Sequence, residues 1–196
     1  NMPLSGKKVV VTAGPTEEPI DSVRYLGNRS TGKMGFALAS RLADLGAKVT
    51  LISGPVNLET PQRVAERINV STAQEMYDAT TRIWPSMDVG IACAAVADMR
   101  PVNPANKKLH RGDLPDSILL ENTPDTLLEM GRTKSSSQVL MGFALETDSA
   151  EESLKSAESK LTRKNLDFVV MNTLADKGAG FNHDTNKVTV LQSVGA

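Results

Sequence analysis

Gly27-Asn28-Arg29-Ser30-Thr31-Gly32-Lys33-Met34 is the segment whose types and spacing first point to chemistry. It is one residue from the phosphate loop G-x-x-x-x-G-K-[ST], whose last hydroxyl holds a magnesium ion. Here that place is taken by Met34, and no apolar strand runs directly into the segment. A P-loop NTPase is set aside. What remains is a small polar turn bracketed by glycines and running into a helix start. Free backbone N–H groups converge there and favour anions. A plain capped loop would account for the same residues without any ligand. Ser30, Thr31 and Gly32 form this candidate anion loop, with Gly14 of an earlier turn beside it in the reading.

A dinucleotide fingerprint would place G-x-G-x-x-G after the first strand. The chain has Ala13-Gly14-Pro15-Thr16-Glu17-Glu18-Pro19 instead, a proline-stiffened turn with few free N–H groups. Neither Tyr25 nor Tyr77 has a lysine four positions on. Both observations weigh against an NAD(P)-dependent oxidoreductase. Ala94-Ala95-Val96-Ala97-Asp98 leaves a buried strand with small side chains and then a carboxylate. That suits a flat base lying on backbone and an Asp bonding ribose hydroxyls, though close helix–strand packing reads the same way. Lys160, Arg163 and Lys164 stand at i, i+3 and i+4 on one helical face, most simply a solvated basic face. Cys93 lies within an apolar strand, where burial leaves a thiol unreactive.

These residues need a frame, and composition bounds it. With 196 residues, 40% hydrophobic and 23% charged, the chain is expected to form a single large domain over 1–196, or one domain with an excursion. A net charge of −1 gives no basic excess for a nucleic-acid backbone. No stretch approaches the ~18 apolar residues of a membrane span. One cysteine and two histidines leave no Cys-rich or multi-histidine metal site, and fit the reducing cytoplasm.

β-branched runs at 8–12, 47–53, 87–95, 139–144 and 167–171 read as strands, with a more polar one at 187–192. Helical periodicity spans 33–45, capped by Ser30 or Thr31, and a capping box at Ser71–Gln74 opens a helix to about Trp84. Thr123-Pro124 reads as an N-cap with proline at the first helical position. A second capping box, Ser149–Glu152, opens a helix reaching Lys164. Alternating strands and helices imply a doubly wound, Rossmann-like, mostly parallel α/β sheet with helices on both faces. The proline-rich stretch 98–124 reads as a long functional loop.

Taken in order, the motifs resemble phosphopantothenoylcysteine synthetase. They are Thr12-Ala13-Gly14-Pro15-Thr16, Asp21-Ser22-Val23-Arg24-Tyr25, Asn28–Gly35, Ala94–Asp98, Thr123-Pro124-Asp125, Gly142–Thr147, Lys164–Asp167 and Gly180-Phe181-Asn182. The resemblance covers Gly6 to about Val190. It implies a ligase of coenzyme A biosynthesis, using CTP with Mg²⁺ to couple 4′-phosphopantothenate to L-cysteine through an acyl-cytidylate.

Residue by residue, the resemblance implies that Asn28 binds the activated carbonyl, with Arg24 just upstream. Asp98 is the ribose- and metal-side carboxylate behind Ala94 and Ala95. Lys108 is the loop lysine over the triphosphate. The family's Lys-Ile-Lys is here Lys108-Leu109-His110, so Lys107 is the other register. Pro124, Asp125, Thr126, Leu127 and Phe143 enclose the nucleotide, and Lys160 and Lys164 approach it. The resemblance further implies a homodimer, and bifunctional relatives carry a flavin-dependent decarboxylase domain ahead of this one. Many members of that family extend beyond the position of Ala196, so a terminal helix is expected either outside this chain or disordered. A non-catalytic nucleotide-binding module is the remaining rival.

Overall fold

The computed structural model describes residues 2–146, 149–173 and 187–193. Thr147 and the Gly180-Phe181-Asn182 motif lie outside the described residues. β1 (Lys8–Ala13) is followed by the hairpin strands β2 (Glu17–Pro19) and β3 (Tyr25–Gly27), then α1 (Lys33–Asp44), β4 (Lys48–Ser53) and β5 (Glu66–Asn69). α2 (Ala73–Ile83), β6 (Val89–Ala92), β7 (Met99–Pro101) and β8 (Leu120–Asn122) come next. The chain closes with α3 (Thr126–Thr133), β9 (Val139–Glu146), α4 (Ala150–Arg163), β10 (Phe168–Thr173) and β11 (Val188–Gln192).

The main sheet has the order β11-β10-β9-β6-β1-β4-β5, parallel throughout except for β11 against β10. This is the doubly wound α/β fold expected from the alternation of patterns. β1 shows why it closes on both faces. Val9, Val11 and Ala13 point to one side and pack with Phe36, Ala39 and Ala43 of α1. Val10 points to the other and joins Met76, Trp84, Met130, Leu140 and Ala157 in a second core beneath α2, α3 and α4. Alternate residues of a strand face opposite ways, so a run apolar at every position must be covered twice. Among the described residues, no helix is long and apolar enough to cross a membrane.

Several boundaries differ from expectation, each for a local reason. α1 is capped by Gly32 in the left-handed region, not by Ser30 or Thr31. The reciprocal cap of α2 uses Thr72 and Glu75, one residue on from Ser71–Gln74. Thr72 Oγ1 accepts from the Glu75 N–H at 3.2 Å, and Glu75 Oε2 accepts from the Ser71 N–H at 2.6 Å. The N-cap of α3 is Asp125 rather than Thr123, because its carboxylate accepts from the Leu128 N–H at 2.9 Å. Pro124 therefore lies before the helix. The stretch 98–124 is not a bare loop: β7 and β8 pair across it, and this hairpin packs beside the one formed by β2 and β3. β5 and the β2–β3 hairpin had no clear sequence signal, being short and polar.

Gly35 sets how closely α1 lies on β1. A Cβ there would fall 2.5 Å from Ala13 Cβ and 3.1 Å from Ala13 Cα. Gly35→Ala is expected to cost about 1–3 kcal/mol by overpacking, read as a lower midpoint in urea with an unchanged slope.

Candidate active site

Strand order reverses between β1 and β6, and ligands of doubly wound sheets lie in the crevice outside such strand ends. Two hydroxyls and the backbone make its floor. Thr12 Oγ1 accepts from the Ala94 N–H at 3.3 Å, and buried Thr16 Oγ1 accepts from the Ala97 N–H at 2.9 Å. The Gly14 carbonyl accepts from the Ala95 N–H at 2.9 Å. From the other side, Thr123 donates its hydroxyl to the Ala97 carbonyl at 2.6 Å and its N–H to the Asp98 carbonyl at 3.0 Å. The exposed Asp98 carboxylate thus stands on backbone held from both sides.

The loop from Gly27 to Gly32 is fastened to this floor by Asn28. Its Nδ2 donates to the Ala95 carbonyl at 3.2 Å and the Val96 carbonyl at 3.1 Å, joining segments 67 and 68 residues apart. Two sequence motifs therefore meet at the switch point. With Nδ2 directed at these carbonyls, Asn28 holds the loop, and gripping a ligand with it requires the amide to turn. Gly14 and Gly32 also come together, both at positive φ (79° and 77°). A Cβ on Gly32 would lie 3.5 Å from Gly14 Cα, and a Cβ on either would lie 3.0 Å from Val56 Cγ1. Ser30 Oγ accepts from the Gly32 N–H at 3.3 Å, so it shapes the turn leading into α1. An open cleft of about 490 Å³ lies past Val56, toward Arg67 and Glu75, and no sequence-predicted site residue lines it.

Arg24 and the lysine segment form a second constellation. Asp21, buried in the β2–β3 turn, accepts on Oδ1 from the Val23 N–H (2.8 Å) and the Arg24 N–H (2.7 Å). Its Oδ2 accepts from the Leu109 N–H at 3.1 Å and from Arg24 Nη1 in an ion pair. Arg24 Nη1 also donates to the Leu109 carbonyl at 3.3 Å, and the Ala105 N–H donates to the Ile20 carbonyl at 2.9 Å. Lys107 and Lys108 are exposed between these anchors. Asp21 lies in the Asp21–Tyr25 motif but is not among the expected site residues. Its signal was an Asp whose side chain can cap its own turn two and three residues on.

On the β9 side, Lys160 Nζ donates to the Phe143 carbonyl at 3.3 Å. Lys164 Nζ pairs with Asp125 Oδ2 at 2.7 Å. A solvated basic face is thus corrected for both lysines, while Arg163 stays exposed. Burial raises the Asp125 carboxyl, but the Lys164 ammonium and the Leu128 N–H outweigh it and leave it below its ordinary value. α3 and the end of α4 touch through backbone, since a Cβ on Gly131 would meet the Lys164 carbonyl at 1.7 Å. Thr126 is buried, and Leu127 packs into the core against Gly142. Burial pushes the Cys93 thiol up to about 12, which makes it a poor nucleophile.

Fold and crevice define a doubly wound α/β domain in which Thr12, Thr16, Asn28 and Asp98 gather at the β1/β6 switch point. The chain belongs to the family described as the DNA/pantothenate metabolism flavoprotein C-terminal domain, whose model matches residues 4–196. It is 47% identical over 189 residues to the coenzyme A biosynthesis bifunctional protein CoaBC of Bacillus subtilis (strain 168), covering 96% of this chain and 46% of that protein. It is 46% identical over 189 residues to a cysteine/cysteine sulfinic acid decarboxylase of an unknown prokaryotic organism, covering 96% of this chain and 52% of that one. Among solved structures it resembles the C-terminal domain of CoaBC at 39% identity, with a TM-score of 0.81. That match covers 100% of this chain and 86% of the solved one. The chain spans about half the length of the curated relatives it matches.

Burial raises the Asp21 carboxyl, but the Arg24, Val23 and Leu109 amides and the Arg24 guanidinium outweigh it, holding it at about 2 instead of 3.8. A carboxylate depressed on folding stabilises the fold above its unfolded value, and that contribution disappears as pH falls through the folded value. The thermal midpoint of the wild-type chain should therefore exceed that of Asp21→Asn at neutral pH. The gap should shrink from about pH 3.8 and close toward pH 2.

Proposed function

We propose that this chain is the phosphopantothenate–cysteine ligase of coenzyme A biosynthesis. The observation that carries the reading is the Asn28 bridge to Ala95 and Val96, which brings the anion-favouring loop onto the small-residue strand exit beside Asp98. Family membership and the similarity to the C-terminal domain of a coenzyme A biosynthesis protein support it. The missing glycine fingerprint weighs against a hydride-transfer enzyme on the same fold.

In the first half-reaction a carboxylate oxygen of 4′-phosphopantothenate attacks the α-phosphorus of CTP. A P–O bond forms, pyrophosphate leaves, and a mixed acyl-cytidylate anhydride results. The L-cysteine amine then attacks the acyl carbon. CMP departs with the electron pair of the broken acyl–oxygen bond, and the amine loses a proton. The protein's tasks are to neutralise phosphate charge and hold the partners in line.

The ribose lies against Asp98, the base against backbone near Ala94, Ala95 and Phe143, and the triphosphate toward Ser30, Thr31, Gly32 and Gly14. Lys108 offsets charge on the departing pyrophosphate, a contribution of about 10²- to 10³-fold for one such donor. Among the described residues, no three His, Cys, Asp or Glu side chains are grouped to hold a metal. Magnesium would enter with CTP, held mainly through phosphate oxygens and water, and Asp98 is the carboxylate of this chain that would face it.

The decarboxylase named for one relative belongs, in this reading, to the part of that protein which this chain does not span. The chain works as a homodimer joined through its paired hairpins, where Val23, Tyr25, Met99 and Leu119 are exposed. Sedimentation should give twice the chain mass, and Leu119→Lys should return the monomer.

The deciding assay is pyrophosphate release with CTP, phosphopantothenate and cysteine, each omitted in turn. Without cysteine, release should stop near one turnover, as the intermediate stays bound. Equal kcat/KM for ATP and CTP would show the nucleotide assignment to be wrong. Asn28→Asp should cripple turnover while costing at most about 1 kcal/mol of stability, as an exposed site. The new carboxylate would face the Ala95 and Val96 carbonyls and release the loop. Near-normal turnover would remove Asn28 from the site.

A further inference from the structure

We infer that Asp21 is a positioning residue for this ligase, locking Arg24 and the Lys107–Lys108 segment to one another. The inference rests on the ligase reading above and concerns a residue that reading leaves without a role. Asp21 divides its two oxygens between two tasks. Oδ1 accepts the Val23 and Arg24 N–H groups and so shapes the β2–β3 turn. Oδ2 accepts the Leu109 N–H and the Arg24 guanidinium, which belong to the two segments being joined.

The remaining ties follow the same seam. Arg24 Nη1 reaches the Leu109 carbonyl, and Ala105 bonds Ile20. Residues 105–109 are thus fastened at both ends to residues 20–24. Residues 110–120 beyond them are exposed throughout. A lysine ammonium rides on a flexible four-carbon stem, so its reach is set by where its backbone is held. Here the hold lies one residue from Lys108. Misplacing a reacting group by about 1 Å from a distant site costs ~10²-fold.

Asp21→Asn separates the two tasks. The amide keeps an oxygen for the turn, but presents N–H groups to the guanidinium and the Leu109 N–H, setting donor against donor. Three measurements on the wild-type chain and this variant test the clamp. Amide exchange over residues 102–116 should rise in Asp21→Asn while circular dichroism shows a folded chain. Pyrophosphate release in the first half-reaction should fall ~10²-fold.

The same substitution in a Lys107→Gln/Lys108→Gln background should cost well under the ~10²-fold of the single change, because the lysines are already gone and only Arg24 is left to misplace. A full-size loss in that background, or unchanged exchange and turnover, would overturn the inference. Should Asp21→Asn fail to fold, Leu109→Pro removes the accepted N–H from the opposite side and should give the same loop release and rate loss. A wild-type chain that releases no pyrophosphate with any nucleotide overturns the ligase reading instead. The exchange data then decide the clamp alone.

Discussion

Two threonine hydroxyls, on Thr12 and Thr16, hold apart and yet tie together the strand ends on which everything else rests. β1 and β6 are neighbours in the sheet, and past Ala13 and Ala92 their pairing thins to an isolated parallel bridge between Pro15 and Ala95, so the backbone groups beside that bridge need other partners. A buried N–H without a partner is costly. The hydroxyls supply partners for Ala94 and Ala97, and the Gly14 carbonyl supplies one for Ala95. The result is a crevice floor made of satisfied backbone with small side chains above it. Residues 94–97 themselves carry only the small side chains Ala-Ala-Val-Ala, which lets a flat group approach their main chain.

Charge around this floor is largely committed to structure. Arg24 faces Asp21, Lys164 faces Asp125, and Lys160 reaches the Phe143 carbonyl. Pairing holds long side chains in place, at the cost of part of the field they would exert on a ligand. Lys107, Lys108 and Asp98 are exposed, and their charge is displayed outward. The two walls also differ in build. On the β9 side, helices meet backbone to backbone at Gly131, whereas the hairpin side is joined by side-chain bonds at Asp21.

Much of this frame was legible in the residues. The run 87–95 is apolar enough to be buried on both faces, and a strand buried on both sides needs helices on both sides. The motif segments also fell where a doubly wound sheet places its ligands. What was not legible depended on distant contacts. Lys160 and Lys164 share a helical face, and only the positions of Phe143 and Asp125 show that the face is not solvated. Asp125 and Thr123 are both good caps by type. The choice between them is made where the β7–β8 hairpin uses Thr123 for the Ala97 and Asp98 carbonyls. Asn28 has the chemistry of a ligand-binding amide, but nothing local reveals that its hydrogens are directed at a strand end 67 residues away.

Gly14, Gly32 and Val56 have a consequence on an evolutionary scale. The two glycines lie against each other under one methyl group of the valine, and each adopts a conformation that L side chains rarely take. A methyl added to either glycine strikes the valine, and a bulkier residue at 56 strikes both turns. The three positions, far apart in the chain, thus behave as one inherited character: in a lineage carrying this fold they should drift together or not at all.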